Sequence, residues 1–550
     1  MALKHVNAAI IGAGAGGGVV AQELSKAGLS VVLLERGKWH SAADCRKDDL
    51  RNQRTSALGN AFGPEEDLNP RVLVDRQGER IVYPSEGGYS NNAACVGGGT
   101  FSYGAQAWRY MEKDFRMRST YGAVPGSTLE DWPIAYSDME PYYEKAEWEM
   151  GVSGDDANNV FKAPRRRSLP MPPLPPGREH GILLPAAKRL GLHPFDIPML
   201  RNSVPYNGRR SCMRCRWCVG FACEVNARTG THNTVIPGAL ATGYCELRTG
   251  CIARKILLDP QGRARGVAYF DSSDRLQEQS ADLVIVSGGA IESARLLLNT
   301  RHRLFPNGLG NRYDWVGRNL HSHSYTTAIG LFDYETYDDI GPGATIAICD
   351  YNHGNAGLAG GGMLANEFIR LPYQFMADVP PWIARWGAEH KEFVRNAYKR
   401  TIVITGPVQE MPLFDSRTQV DPKVKDHWGI PVARLSGGKH PHTLEIARYI
   451  AAKAEAWLKE AGAVQAWRRI PPNTLSGGQH QAGTCRMGND PKTSVVNRDC
   501  QLHDADNVYV IDASVHPSNG GFNPGLTILA NAYRASAKLL QAWKGSKVRS

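Results

Sequence analysis

Three glycines near the N-terminus, Gly12-x-Gly14-x-x-Gly17, constrain the fold of this chain more than any other feature. They follow an apolar run, Ala8–Ile11, and precede a helical pattern that Gly28 closes. Gly12 permits a tight turn, Gly14 lets a pyrophosphate approach the backbone, and Gly17 lets the helix pack closely on the strand. The pattern therefore predicts a strand–turn–helix unit that binds a dinucleotide.

A second apolar run, Val31–Leu34, ends at Glu35. An acid at this point can accept hydrogen bonds from a ribose 2′-hydroxyl and disfavours a 2′-phosphate, which argues against NADP. The alternative is a glycine-rich packing turn with no ligand, and the acid makes that alternative the weaker one. The motif by itself does not distinguish NAD from FAD.

Composition limits the class of protein. Apolar residues make up 42% and charged residues 21% of the 550 residues, as in ordinary globular chains. The net charge of +10 is mild for this length, so we expect no nucleic-acid partner. No run reaches the roughly 18 apolar residues of a membrane span. Met1–Asn7 lacks the pattern of a signal peptide, so we expect no export signal in the chain itself.

Periodicity predicts several further elements. Residues 325–440 alternate short β-rich runs with Gly and Pro breaks, which is typical of an antiparallel sheet. Thr443–Ala461 has the i, i+3/i+4 apolar spacing of a helix. Near the C-terminus we predict a strand over Val508–Ile511 and a helix over Leu526–Leu540.

Three C-terminal segments carry residues suited to alcohol chemistry: His480-Gln-Ala-Gly-Thr484, the strand ending in Asp512-Ala-Ser514, and Asn523-Pro524. In this order they resemble the C-terminal motif of the glucose–methanol–choline (GMC) flavin oxidoreductases. Other segments are similar to further signatures of that family: Gly97-Gly98-Gly99-Thr100 with Trp108 and Arg109, Ser287–Leu297, and Val316–Leu320. The resemblance covers nearly the whole chain.

Within the family, the chain looks most like the flavoprotein subunits of bacterial sugar and gluconate dehydrogenases, and like glycoside 3-oxidases and dehydrogenases. Asp131-Trp132-Pro133 and Pro141-Tyr142-Tyr143 are similar to segments of the gluconate and glucose dehydrogenase subunits. One departure is Ser102-Tyr103-Gly104-Ala105, because most members of the family have an asparagine in this loop.

The resemblance implies FAD as the cofactor and His480 as the base that removes the hydroxyl proton. Histidine suits this role because its ordinary pKa, about 6.5, lies near the working pH. Asn523 would hold the hydroxyl oxygen, and His516 is a candidate to line the site. The residues expected at the cofactor are Gly12, Gly14, Gly17, Glu35, Gly98, Gly99, Thr100, Asp512, Pro524 and Thr527.

Four cysteines lie within twelve residues: Cys212, Cys215, Cys218 and Cys223. Cysteines three apart in sequence pair poorly as disulfides, whereas one loop can surround a metal with thiolates at this spacing. Zinc knuckles usually form two separated pairs, and the first three cysteines follow a bacterial ferredoxin rhythm. Some of the sugar dehydrogenases that the chain resembles carry an iron–sulfur cluster here. The alternative is a set of free thiols in a compact turn.

The main functional hypothesis is FAD-dependent oxidation of a secondary or anomeric hydroxyl of a sugar or glycoside, with the electrons passed to an acceptor such as a cytochrome or quinone. A small partner subunit is also expected. Two alternatives are a glycoside or pyranose oxidase that uses oxygen, and a flavin or iron–sulfur electron-transfer subunit without substrate chemistry. A nicotinamide dehydrogenase is disfavoured. Four aromatic residues are candidates to stack on a sugar, although such residues more often belong to a core: Tyr373, Trp382, Trp386 and Trp428.

The predicted fold is α/β, with a Rossmann-like FAD-binding domain interleaved with an antiparallel-sheet (α+β) substrate domain. We assign residues 1–110, 225–324 and 476–550 to the first domain and 325–475 to the second. Residues 111–224 form a Pro- and Cys-rich excursion. The expected location is cytoplasmic, or periplasmic if a signal-bearing partner exports the folded chain.

Overall fold

The structure is a computed structural model, and it describes residues 5–44, 47, 62–90, 93–376, 378–475 and 479–547. The strands of these residues are β1 (Val6–Ile11), β2 (Val31–Leu34), β3 (Arg71–Asp75), β4 (Gly78–Val82), β5 (Ser153–Asp155), β6 (Phe195–Met199), β7 (Cys245–Arg248), β8 (Ile252–Leu258), β9 (Ala264–Phe270), β10 (Leu276–Val286), β11 (Ser324–Leu331), β12 (Ile346–Ile348), β13 (Leu364–Asn366), β14 (Thr401–Val408), β15 (Arg417–Lys425), β16 (Pro431–Ser436), β17 (Gln465–Arg469) and β18 (Val508–Val510).

The α-helices in the same part of the chain are α1 (Ala15–Lys26), α2 (Met117–Tyr121), α3 (Tyr136–Met150), α4 (Arg178–Arg189), α5 (Val235–Ala241), α6 (Ala290–Asn299), α7 (Pro372–Met376), α8 (Ala388–Ala397), α9 (Pro441–Glu460) and α10 (Gly525–Lys547). None of these helices is long and apolar enough to cross a lipid bilayer.

The first sheet is built around β1, which pairs in parallel with β2 on one side and with β10 on the other. Strand β7 extends the sheet beyond β2, and β18 pairs in parallel with β10. The central strands read as continuous apolar runs because helices cover the sheet, and Ala8, Ala9 and Ile10 have no exposed surface. Helices α1, α3, α5 and α10 pack together as one such layer.

Strand β10 belongs to two ladders. Its first half, through Ser280, pairs antiparallel with β9, which in turn pairs with β8. Its second half, from Ala281, pairs in parallel with β1. The carboxyl ends of β1, β10 and β18 therefore meet at one edge of the sheet, where doubly wound folds bind their ligands.

The second sheet has seven strands, all antiparallel, in the order β17-β11-β14-β13-β12-β6-β5. Helix α9 packs on β11 and β14, and its buried Trp457 donates its indole N–H to the Leu183 carbonyl at 3.0 Å. This arrangement confirms the predicted fold class, with a parallel-containing sheet beside an antiparallel one. Strands β5 and β6 come from the predicted excursion at 111–224.

A third sheet of four strands joins distant parts of the chain. Strands β15 and β16 form an antiparallel pair, and β16 pairs in parallel with β3, which pairs with β4. The hairpin of β3 and β4 lies in the segment assigned to the first domain, whereas β15 and β16 lie in the segment assigned to the second. The division into domains at these residue numbers stays a prediction.

The predicted C-terminal elements are present with shifted ends. Helix α9 begins at Pro441, where a proline fits the first turn and the His440 Nδ1 accepts the N–H of His442 at 3.1 Å. Near the N-terminus, helix α1 begins at Ala15, and Gly16, Gly17 and Gly18 belong to its first turn.

Gly17 has no room for a side chain. A Cβ at this position would lie 1.9 Å from the Gly12 carbonyl oxygen, whereas a Cβ on Gly181 in α4 would meet nothing within 4 Å. We expect Gly17→Ala to lower the free energy of unfolding by about 1–3 kcal/mol, because the helix must shift from the strand. Gly181→Ala is the matched control and should be neutral or stabilising. Urea unfolding of both variants tests this, and equal stability would contradict it.

Candidate active site

A cavity of about 990 Å³ lies between the carboxyl edge of the first sheet and the second sheet. It brings together segments that are hundreds of residues apart in the sequence. The predicted site residues that line it are Gly12, Gly14, Glu35, Gly98, Gly99, Thr100, His480, Asp512, Asn523 and Pro524.

The glycine turn has the geometry of a dinucleotide site. Gly12 has φ of +101°, and a Cβ there would lie 2.4 Å from the Ser287 carbonyl oxygen. A Cβ on Gly14 would meet no protein atom within 4 Å, so the space beside this backbone is open to a ligand. Gly14 is the N-cap of α1, and the free N–H groups of that helix end favour a phosphate. Gly17 packs behind the turn, as predicted from its place in the motif.

Glu35 closes the turn. Its carboxylate accepts the N–H of Ala13 at 2.8 Å and the N–H of Gly37 at 2.9 Å. Burial raises the pKa of this carboxyl, and the two N–H groups oppose that shift. Glu35 therefore orders the loop on both sides and also faces the cavity.

The second glycine loop lies against the first. A Cβ on Gly98 would be 3.0 Å from the Gly14 Cα. Thr100 donates its hydroxyl to the Gly97 carbonyl at 2.6 Å and accepts the N–H of Thr231 at 3.1 Å, so its side chain fixes the loop. The two loops together form a narrow part of the cavity, and the open space at Gly14 fits a dinucleotide such as FAD.

Two residues that follow this loop lie away from the cavity. Trp108 is buried and donates its indole N–H to Gln106 at 2.8 Å. Arg109 is paired with Glu147 through two hydrogen bonds of 2.8 and 2.7 Å. Gln106 lines the cavity, so this part of the chain faces the site through Gln106 and not through Trp108 or Arg109.

Asp512 links the ends of two strands. One carboxylate oxygen accepts the N–H of Gly289 at 2.9 Å and the hydroxyl of Ser293 at 2.6 Å, and the other accepts the N–H of Ser514 at 2.8 Å. Pro524 caps α10, since its carbonyl accepts the N–H of Ile528. Thr527 is fully buried behind the cavity and shares a hydrogen bond of 2.8 Å with the Tyr143 hydroxyl.

His480 is held in an unusual conformation. Its φ is +67°, which is rare for a residue other than glycine, and its carbonyl accepts the side-chain N–H of Asn519 at 2.9 Å. Its ring Nδ1 lies 2.9 Å from the Nδ1 of His323. Such an outlier, held by its neighbours in a cavity, is typical of a functional residue.

Asn523 lies at the same end of the cavity. Its side-chain N–H donates to the Tyr325 hydroxyl at 2.9 Å. Its Oδ1 is buried and has no hydrogen-bond partner among the described residues. An unpaired acceptor beside His480 is suited to receive a hydrogen bond from a substrate.

His516 does not line the cavity, although the sequence made it a candidate. It is completely buried, contacts Trp132, and has its Nδ1 3.2 Å from Asn519 Oδ1. Burial lowers the pKa of this ring to about 3, so it is neutral.

Of the four candidate aromatic residues, only Tyr373 lines the cavity. Trp382 and Trp386 lie on the surface, and Trp428 donates its indole N–H to Asp274 at 2.7 Å.

Two residues at the site were missed in the sequence. Tyr325, which lines the cavity and contacts Asn523, is the second residue of β11, and His323, which contacts His480, directly precedes that strand. The sequence signal was the His321-Ser322-His323 segment that directly follows the Val316–Leu320 signature. This signal is weak, because polar residues are common beside predicted strands. The contact of this segment with His480 is also not visible in the sequence, because the two are far apart along the chain.

The four cysteines of the predicted metal loop do not form a metal site in the described part of the chain. Among these residues, no group of three or more His, Cys, Asp or Glu side chains is placed to hold a metal ion, so the iron–sulfur prediction is not supported. Some of the sulfur atoms contact arginines. Cys218 lies 2.9 Å from a guanidinium nitrogen of Arg201, and Cys223 accepts the backbone N–H of Arg228 at 3.5 Å.

Comparison with known proteins points to one family. A model described as GMC oxidoreductase matches residues 127–325 with its N-terminal part and 415–532 with its C-terminal part. Residues 8–68, which contain the glycine turn, also match a model described as ketopantoate reductase PanE/ApbA.

Full-length relatives agree with the first match. The chain is 30% identical to 6‴-hydroxyparomomycin C oxidase of Streptomyces lividus, over 96% of this chain and 90% of that protein. It is 27% identical to the gluconate 2-dehydrogenase flavoprotein of Pantoea cypripedii, over 96% and 93% of the two chains. The crystal structure of pyridoxine 4-oxidase from Mesorbium loti shares the fold, with a TM-score of 0.62, 16% identity, and coverage of 97% and 98%.

The arginines beside the cysteine loop should make one thiol reactive. Burial raises the pKa of Cys223, but the charges of Arg228 and Arg201 outweigh burial and lower it overall. Cys245 is partly buried to a similar degree, and burial raises its pKa to about 12. At a pH of about 8 we expect iodoacetamide to label Cys223 first, because the thiolate is the nucleophile. Peptide mass spectrometry over time measures both sites, and faster labelling of Cys245 would contradict the expectation.

Proposed function

The chain belongs to the GMC oxidoreductase family, and from that premise we propose that it is a dehydrogenase that oxidises a hydroxyl of a sugar or glycoside. The chemistry of the family is FAD-dependent oxidation of an alcohol CH–OH group. FAD, when bound, supplies the acceptor for the hydride that leaves the carbon. The chain's own residues must bind the cofactor, orient the hydroxyl and take its proton.

One observation carries the proposal: the cavity that begins at the dinucleotide turn also contains His480 and Asn523. In the proposed reaction the hydroxyl oxygen lies between these two side chains. His480 takes the hydroxyl proton, and the second side-chain N–H of Asn523, the one not donated to Tyr325, donates to the hydroxyl oxygen. The Gly12–Gly17 turn, Glu35 and the 97–100 loop would hold FAD. His480 and the unpaired amide oxygen of Asn523 argue against an electron-transfer subunit, because a subunit without substrate chemistry does not need these groups in its cavity.

The wall of the cavity that faces His480 supports a substrate with several hydroxyl groups. The second sheet and the segment between β13 and β14 contribute polar side chains to the lining, namely Tyr325, Thr327, Thr405, Arg370 and Gln374. Polar groups placed along a site favour substrates that can hydrogen-bond with them. A sugar or glycoside satisfies such a wall better than a simple alkyl alcohol does.

The relatives differ in whether they are named as oxidases or as dehydrogenases, which bears on the electron acceptor. The Pantoea cypripedii relative is a dehydrogenase flavoprotein, and the Streptomyces lividus relative is an oxidase. We propose a cytochrome or quinone as the acceptor, reached through a small partner subunit that could also carry an export signal. The second candidate is an oxidase that reduces oxygen, and the 30% identity to the Streptomyces lividus oxidase favours it.

Replacing the base tests the proposed chemistry. We expect His480→Ala to slow flavin reduction by a sugar by about 10²–10⁴-fold while the bound flavin spectrum is retained, because only proton removal is lost. His427 is an exposed histidine outside the cavity, so His427→Ala is the matched control and should reduce at the normal rate. Anaerobic stopped-flow absorbance measures both, and unchanged reduction in His480→Ala would overturn the assignment.

The acceptor is tested separately. Once the flavin is reduced, we expect a soluble quinone or ferricyanide to reoxidise it faster than dissolved oxygen does. Mixing photoreduced protein with each acceptor and following the flavin absorbance gives the two rate constants. Faster reoxidation by oxygen, with hydrogen peroxide formed, would instead establish the oxidase.

A further inference from the structure

A buried histidine that the proposed chemistry does not use lies directly behind His480. His323 is 6% exposed and occupies the residue before β11. Its Nδ1 is 2.9 Å from the Nδ1 of His480, and its Nε2 is 2.5 Å from the carbonyl oxygen of Gly520. The two rings are nearly perpendicular, at 83°, with centroids 5.0 Å apart.

The hydrogen-bond partners determine where the protons are. A carbonyl oxygen can only accept, so the Nε2 of His323 must carry the hydrogen that it donates to Gly520. A neutral imidazole has one N–H, and the Nδ1 of His323 is therefore an acceptor. The nitrogen facing it, Nδ1 of His480, must then be the donor. A neutral His480 with its hydrogen on Nδ1 has its lone pair on Nε2.

The surroundings keep His323 neutral. Burial lowers the pKa of this ring to about 4, and His321 acts in the same direction. The Gly520 carbonyl and the charges of Glu410 and Asp114 raise it by less. Glu410 is itself held by the N–H of Ser322 at 3.0 Å, so its position on this side of the ring is defined. His323 thus offers a lone pair to His480 throughout the neutral pH range.

We propose that His323 is a positioning residue that holds His480 in the tautomer with hydrogen on Nδ1, so that Nε2 is the nitrogen that receives the substrate proton. This inference rests on the proposed function. In that step the O–H bond of the substrate breaks and an N–H bond forms at Nε2 of His480. The resulting imidazolium keeps its Nδ1 hydrogen bonded to His323, which stabilises the cation. The electron pair of the broken C–H bond leaves with the hydride.

The backbone and the ring of His480 are fixed by two different contacts. Asn519 binds the carbonyl of His480 and holds the left-handed backbone, whereas His323 binds the ring. Loss of His323 should therefore leave the chain path intact and free the ring to rotate or to exchange tautomers. In serine proteases, loss of the group that orients the catalytic histidine likewise costs rate through the wrong tautomer.

Three substitutions separate the two hydrogen bonds of His323. In His323→Asn the amide oxygen takes the place of Nδ1 and can still accept from His480. In His323→Gln the amide nitrogen takes the place of Nε2 and can still donate to Gly520, but nothing accepts from His480. His323→Ala lacks both. We expect His323→Asn to reduce its flavin at nearly the normal rate, and the other two to be slower by about 10- to 100-fold, with substrate affinity unchanged.

The tautomer itself is measured without turnover. Protein labelled with ¹⁵N-histidine should show His480, assigned by its loss in His480→Asn, with Nδ1 protonated and Nε2 unprotonated. The same signal should persist in His323→Asn and change in His323→Gln. A wild-type His480 protonated on Nε2 would overturn the inference even if every variant failed to fold. Normal reduction in His323→Ala would overturn it as well, whereas normal reduction in His480→Ala would refute the proposed function instead.

Discussion

Close backbone packing at the glycine turn is the constraint on which the rest of this structure depends. At Gly12, Gly16 and Gly17 an added Cβ would lie 2.4, 1.9 and 1.9 Å from the carbonyl oxygens of Ser287, Ile511 and Gly12 respectively. These contacts join the first strand to two strands that arrive nearly 300 and 500 residues later. Any side chain here would separate the strands from the helix, and with them the carboxyl edge at which the cavity opens.

That edge explains how His480, Asn523 and the glycine turn come to share one cavity. Parallel strands end on the same side, so the segments that follow β1, β10 and β18 meet there whatever their separation in the sequence. Asp512 ties two of these segments together by bonding Gly289 and Ser293. The second sheet closes the opposite side and contributes Tyr325. The site is therefore an interface between two layers.

The segments that the motifs single out lie together in the structure. The glycine turn, Glu35, the 97–100 loop and the residues 480, 512 and 523 all line the cavity or support it. The cysteines form no metal site among the described residues, because closeness in sequence alone does not arrange side chains around an ion. In this loop two buried arginines are the groups that contact Cys218 and Cys223. For His516, adjacency to the motif was equally misleading, because its side chain points into the core.

The sequence by itself determined the dinucleotide fold and the antiparallel partner sheet, and it predicted His480 as the base, because each inference depends on short-range patterns: glycines at a turn, apolar periodicity and a short motif. Only the tertiary structure decided which residues support that base. His323 is 157 residues from His480, and the two rings meet because β11 begins beside the loop at 480. A hydrogen bond of that kind depends on distance in space and on ring orientation, and neither quantity is encoded in the local pattern of either segment.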